Sequence, residues 1–350
     1  MNMNPRPTTV HPPLAVIPKT VQSSLTSLRS SIVDYRLENG RTYHRLSDGK
    51  YFFPNDEVRE RWIVWVSLAI MTQEAYTRAY PGIDMVHHLW MLTWDGDICL
   101  SPKKKTAKRV LDLGTGTGIW ALDYADEHPE ATVVLGVDLS AIQPEYVPPN
   151  CSFEVDDIEK EWTWTTPFDF IFLRYMIGSF TDWNNIFTKA YDHLEPGGYI
   201  EIQDIDFPLR CDDGTMKEGW QPLKWGEMLI EASEKIGRPG HMTPKFEQML
   251  LDIGFVDVVV RRAKWPFNPW PKDKHLKELG MWCQAGSLAG IEAASLRLFT
   301  QVLDWTPEET TVLCAEVRKE HMKMNVHAYY DVYAIYGRKP EKEASEAPAA

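Results

Sequence analysis

Three glycines alternate with threonines in the run Val110-Leu-Asp-Leu-Gly-Thr-Gly-Thr-Gly-Ile-Trp120, and Asp138 closes the apolar run Val133-Val-Leu-Gly-Val-Asp138 that follows. Gly114, Gly116 and Gly118 let a backbone bend sharply and approach a ligand where any Cβ would collide. A carboxylate at the end of the next strand can accept two ribose hydroxyls. In order, the stretch reads strand, glycine turn, helix, strand, acid, which is the first half of a nucleotide-type binding site.

The spacing narrows the ligand. The dinucleotide fingerprint puts its third glycine three residues after the second, and here Ile119 holds that position, so the spacing is G-x-G-x-G. Asp112 stands inside the first strand, where a dehydrogenase has an apolar residue. S-adenosylmethionine (SAM) has no pyrophosphate to seat on a helix N-terminus; its amino-acid end needs a close turn and a nearby carboxylate more than a full anion nest. The pattern therefore points to SAM-dependent methyl transfer and disfavours a nicotinamide dehydrogenase. A glycine turn with no ligand is the plain alternative, and the acid at the Rossmann distance argues against it.

These residues need a sheet to hold them. Val110–Leu113, 132–137, Cys151–Val155 and Phe168–Arg174 read as strands, with a helix from Trp120 to Glu127. A helix from Trp183 to Leu194 is expected to stop at Pro196-Gly-Gly198 and feed a strand from Tyr199 to Gln203. A helix over 222–236, a helix and strand through 246–260, a Trp- and Pro-rich loop at 265–271, helical patterns over 276–324 and a strand over 326–338 follow. Alternating strands and helices predict an α/β fold with a mainly parallel seven-stranded sheet and helices on both faces, Rossmann-like in the manner of class I methyltransferases. The implied organisation is a disordered 1–30, an N-terminal lid or helical extension over 31–102, a SAM-binding domain over 103–340 with a helical cap at 276–324, and a disordered 341–350 tail.

Composition sets the bounds. The 350 residues are 44% hydrophobic and 25% charged, as in ordinary soluble globular chains. A net charge of -13 argues against nucleic acid as a direct partner, because phosphate binding needs a basic surface. Five cysteines without a C-x-x-C pair indicate neither zinc nor a disulfide framework and suggest a reducing compartment, the cytoplasm or nucleus. The longest apolar run, 63–71, is about half of a membrane span. Lys103-Lys-Lys105, with Lys108 and Arg109, is either a nuclear import patch or, more commonly in such a place, a solvated loop. Of the fourteen tryptophans, Trp162, Trp164, Trp265 and Trp270 fall in predicted loops; large aromatics mostly fill core, and the alternative is a pocket wall that contacts a sulfonium or an aromatic acceptor.

Methyl transfer is an in-line displacement that asks mainly for alignment and exclusion of water. A hydroxyl acceptor is helped by a general base, and His87, His88, Tyr175 and His241 are the candidates near the expected sheet edge, with Asp204 a weaker one. For each the ordinary reading is a structural role. The chain has no Asn-Pro-Pro-Tyr motif and no metal-ligand cluster, so no metal is expected.

Several further motifs occur in order: Tyr51-Phe-Phe-Pro-Asn-Asp-Glu57, Leu111 to Trp120, Gly136-Val-Asp-Leu-Ser140 with Gln143-Pro144, Val147-Pro-Pro-Asn150, Asp156-Asp157, Phe168-Asp-Phe170, Glu195-Pro-Gly-Gly198, Asp212-Asp-Gly-Thr215, Trp270-Pro-Lys-Asp273 and Tyr336-Gly-Arg-Lys-Pro340. Over most of 34–340 the chain resembles the fungal SAM-dependent methyltransferases related to LaeA, the nuclear regulator of secondary metabolism. The resemblance implies that Gly114, Gly116 and Gly118 shape the turn around the methionine part, that Asp138 holds the ribose and that Asp157 meets the adenine amino group. Asp156 points to the opposite face, and one of the two acids is a turn or cap residue. One departure stands out. In the family the acidic stretch leads almost directly into an Arg-Leu-Asp-x-x-His-His helix, whereas here residues 62–83 stand between Arg61 and Asp84-Met-Val-His-His88, as a native insertion or a retained intron. Two functions are compatible with these features: methylation of a small-molecule acceptor in fungal secondary metabolism, or a regulatory role through velvet-type protein partners.

Overall fold

A computed structural model describes residues 85–341 in full and the backbone of β1 (Tyr35–Glu38) and β2 (Arg41–His44), which pair as an antiparallel hairpin. The lead-in at 1–30, the 62–83 segment and all of the tail beyond 341 lie outside the described residues. After α1 (Met85–Thr93), strands β3 (Arg109–Leu113), β4 (Val133–Asp138), β5 (Cys151–Val155) and β6 (Phe168–Arg174) alternate with α2 (Ile119–Glu127) and lead to α3 (Trp183–His193). Then come β7 (Leu194–Arg210), α4 (Gln221–Lys235), α5 (Phe246–Ile253), β8 (Val256–Pro266), α6 (Lys274–Val302), α7 (Pro307–His321) and β9 (Tyr329–Arg338).

Seven of these strands form one sheet in the order β5-β4-β3-β6-β7-β9-β8, parallel except for β9, which runs antiparallel to both neighbours. The central strands are apolar on both faces, as helices on both sides require. Val110, Phe170 and Phe172 face Trp120 and Tyr124 of α2, while Leu111, Leu113, Ile171 and Leu173 face the α3 and α5 side with Trp183, Phe187 and Phe246. Trp120 lies flat on Phe172, ring centroids 3.8 Å apart, a contact worth about 0.5–1.5 kcal/mol beyond area burial.

Caps fix the helix ends where the sequence places them. Asp182 accepts from the Asn185 N–H at the start of α3, and Asp273 accepts from the Leu276 N–H at the start of α6. Thr306 and Glu309 form a reciprocal capping box that, with Pro307, opens α7. The helical stretch expected over 276–324 is thereby two helices. Two local expectations are corrected. Pro196-Gly-Gly198 does not precede the strand but lies within β7, where the Leu194-to-Tyr199 segment bulges against Phe168–Phe170 of β6. The Trp- and Pro-rich loop begins only after Pro266, because Trp265 and Pro266 still pair with β9.

The Lys103-Lys-Lys105 patch also differs from a free loop. It forms a 3₁₀ turn capped by Ser101, with Lys104 on Asp97 at 2.6 Å and Lys103 3.5 Å from Asp169. Glu201 fastens the preceding loop to the sheet: it is fully buried and accepts from the N–H groups of Leu100 and Ser101 and from Gln203. Burial pushes its carboxyl up to about 7 against those hydrogen bonds.

Candidate functional site

The strand order reverses between β3 and β6, and ligands of open α/β sheets bind beyond the carboxyl ends of strands at such a switch point. A cleft of about 410 Å³ opens there. The chain leaves β3 through Gly114, whose N–H donates to the Val137 carbonyl, as does that of Thr115. Gly114, Gly116 and Gly118 have φ of +74°, +58° and +84°. A Cβ on Gly114 would overlap the Met176 thioether and one on Gly118 the Phe153 ring, whereas one on Gly116 meets no atom within 4 Å and projects at the cleft. Gly116 is thus where a bare backbone lines the cleft.

Asp138 sits directly across. Its Oδ2 accepts from the Gly116 N–H and its Oδ1 from the Ser140 N–H, both at 2.9 Å. Gln143 completes the clasp, donating to the Gly116 carbonyl at 2.6 Å and the Ser140 carbonyl at 3.0 Å. Gln143 was not singled out from sequence, although it stands in the motif that follows Asp138; an amide five residues beyond the acid was the available signal.

Asp112 is buried beneath the turn and accepts from the Thr115 hydroxyl at 2.6 Å. Burial raises its carboxyl to about 7, opposed by Thr115 and by the Arg174 charge. Arg174 ends β6 two residues beyond Phe172, the register partner of Asp112, so it shares that face of the sheet. It is the one permanent cation lining the cleft among the described residues, and it too was not singled out from sequence. Its position at the carboxyl end of a central strand was the signal. Past β5, Asp156 and Asp157 follow Val155, the partner of Asp138. Asp157 is buried and accepts from the Glu159 N–H, while Asp156 is exposed and accepts from the Asp157 N–H; both line the cleft.

The candidate bases separate. His87 lines the cleft, with Nδ1 2.8 Å from Arg174 Nη2 and Nε2 2.9 Å from Asp123. Tyr175 lines it at the tip of β6, 45% exposed and at a φ of +59°, a strained conformation of the kind that collects at functional sites. His88 turns away onto Trp282, and its ring is held below its ordinary pKa mainly by burial. His241 sits on Asp206 at 2.7 Å, outside the lining. Asp204 is fully buried, accepts from the Met176 and Ile205 N–H groups, and is raised to about 8 by burial; it holds the loop after β6 rather than facing the cleft. No group of three His, Cys, Asp or Glu that could hold a metal occurs among the described residues.

Beyond this rim the cleft continues into a chamber walled by α4, α6, β8 and β9, with Trp225, Trp265, Cys283 and Tyr330 among its lining. Of the four tryptophans expected in loops only Trp265, which belongs to β8, lines the cleft. Trp162 is core and donates to the Ile158 carbonyl, Trp164 packs against it, and Trp270 stacks on His327 and donates to the Ala328 carbonyl.

The donor set fits SAM. A bare backbone at Gly116, a carboxylate facing it, and an anion and a cation on the floor together match a ribose joined to a zwitterionic amino acid. Comparison with known proteins agrees. The family described as Methyltransferase domain matches residues 98–258. The chain is 40% identical to methyltransferase pytC of Aspergillus terreus over 318 residues, 91% of this chain and 92% of that one. It is 34% identical to the secondary metabolism regulator LAE1 of Cochliobolus heterostrophus, covering 87% and 95% of the two chains. With the protein-methionine methyltransferase laeA of Emericella nidulans the identity is 32%, over 91% and 80%. With a glycine turn, an acidic clasp and relatives of this kind along nearly its whole length, the chain belongs to the fungal LaeA-like family of SAM-dependent methyltransferases.

Proposed function

We propose that this protein transfers a methyl group from SAM to a small-molecule acceptor of secondary metabolism. The observation that carries the reading is the continuity of the cleft: one opening joins the Gly116–Asp138 clasp to a chamber lined by α4 and α6. A concave, mostly apolar chamber suits a small molecule better than a protein surface. When bound, SAM supplies an electrophilic methyl group on a cationic sulfur.

The residues divide the work. The Gly114–Gly118 turn accommodates the methionine part, Asp138 accepts the ribose hydroxyls and Asp157 the adenine amino group. Asp112 faces the ammonium and Arg174 the carboxylate of the amino-acid end. His87, held between Arg174 and Asp123, positions that guanidinium. Tyr175, at the junction of the two halves, is the group placed to hold a proton leaving the acceptor. The chamber walls exclude water from the reacting centre.

Calorimetric titration of SAM, S-adenosylhomocysteine and NADH into the purified chain tests this. The first two bind and NADH does not; binding of NADH alone would refute the assignment. The similarity to LAE1 and laeA supports a second reading, action through velvet-type protein partners, and consumption of SAM with an acceptor separates the two. No described helix is long and apolar enough to cross a membrane, and the five free thiols support a reducing compartment, cytoplasmic or nuclear.

A further inference from the structure

The chamber's chemistry identifies its occupant more closely. Among the described residues, every charged side chain lining the cleft comes from α1, from the carboxyl ends of β3 to β6 or from the segments just after them. The lining from β7 onward is uncharged throughout. Its two ionisable groups stay protonated: burial pushes the Cys283 thiol up to about 12 and the Tyr330 phenol well above its ordinary value. Ser287 lies beside both, and the Ser233 hydroxyl donates to the Ile230 carbonyl, so neutral hydroxyls are the polar feature of this lining. The indoles do not add polarity, because the Trp225 N–H donates to Ser295 at 2.7 Å and the Trp265 N–H to Thr93 at 2.6 Å. An ion entering here would lose its hydration and find no counter-charge among the described residues.

One wall position is smaller than the fold requires. Gly286 lies mid-way along α6, where glycine is less favourable than alanine. Its φ is not left-handed, and a Cβ built on it meets no atom within 4 Å. Neither backbone nor packing therefore calls for glycine, yet the position opens on the chamber. We infer that the acceptor is an uncharged, largely apolar molecule, and that Gly286 is a specificity-determining residue that leaves it room. This rests on the proposed methyl transfer from SAM.

The test uses 2-naphthol as a neutral probe, with 2-naphthoate and 2-naphthylmethylamine as its charged counterparts, titrated into the full chain with S-adenosylhomocysteine present. The neutral ring binds at least tenfold more tightly than either ion. Gly286→Leu weakens 2-naphthol at least tenfold while S-adenosylhomocysteine affinity stays within twofold. Gly286→Ala, the milder variant should leucine not fold, raises Tm by about 2 °C and weakens 2-naphthol by a smaller factor. Equal binding of an ion, no binding of 2-naphthol, or unchanged affinity in both folded variants would overturn the inference. Failure of S-adenosylhomocysteine to bind the unaltered chain would instead bring down the methyl-transfer reading beneath it.

Discussion

Asp138 does two jobs that alanine replacement removes together. It accepts from the Gly116 and Ser140 N–H groups, and it faces the place assigned to the ribose. Asp138→Ala should cost roughly 1.5–3 kcal/mol per lost charge-assisted hydrogen bond in SAM affinity, measured by calorimetry; unchanged affinity would remove the ribose assignment. Gly116→Val should abolish binding, since the side chain would occupy the one bare stretch of the turn. Asp112 predicts a pH dependence. Its folded carboxyl titrates at about 7 because of burial, above an unfolded value of about 3.9. The folded chain keeps the proton that the unfolded chain releases, so stability from this group is present at low pH and is lost as pH rises from about 4 to about 7. Pairing with a ligand ammonium needs the ionised form, so S-adenosylhomocysteine affinity should rise from pH 6 to pH 8. Asp112→Asn should flatten both curves; an unaltered affinity profile would place the ammonium elsewhere.

At the scale of elements, α6 is docked through its own glycine. A Cβ on Gly280 would overlap the Asn268 carbonyl oxygen and lie 3.1 Å from Pro269 Cα, so backbone, not a yielding side chain, stands in the way. Gly280→Ala should therefore destabilise by roughly 1–3 kcal/mol, seen as a lowered Tm, in contrast to Gly286→Ala on the same helix. The elements that carry the proposed cofactor half were readable because parallel strands declare themselves as apolar runs bounded by turns, and their carboxyl ends bring Asp112, the glycines, Asp138 and Asp157 to one cleft. The acceptor half was not. Its lining residues Trp225, Gly286 and Tyr330 come from elements far apart in the chain and bear no motif, since an apolar pocket wall has the same composition as core. The histidines show a related limit: whether His87 faces a cleft while His88 and His241 do not depends on helix rotation and loop path, which single residues do not encode.

For the molecule as a whole, fold and site are coupled through mass action. A ligand that binds only the folded chain stabilises it by about 2.7 kcal/mol at a hundred times its dissociation constant, so S-adenosylhomocysteine should raise Tm and NADH should not. Trp120, Trp225 and Trp265 line the cleft, so the same titration should perturb intrinsic fluorescence; a silent spectrum with a raised Tm would place binding elsewhere. The nine-residue helix α1 extends this coupling across the cleft. One flank of α1 sets His87 against Arg174 on the cofactor side, while Met85 packs on Ala285 and His88 on Trp282 of α6, which walls the acceptor chamber. The two parts of the cleft therefore share this helix as a wall, and a substitution that unseats it should weaken S-adenosylhomocysteine and 2-naphthol together.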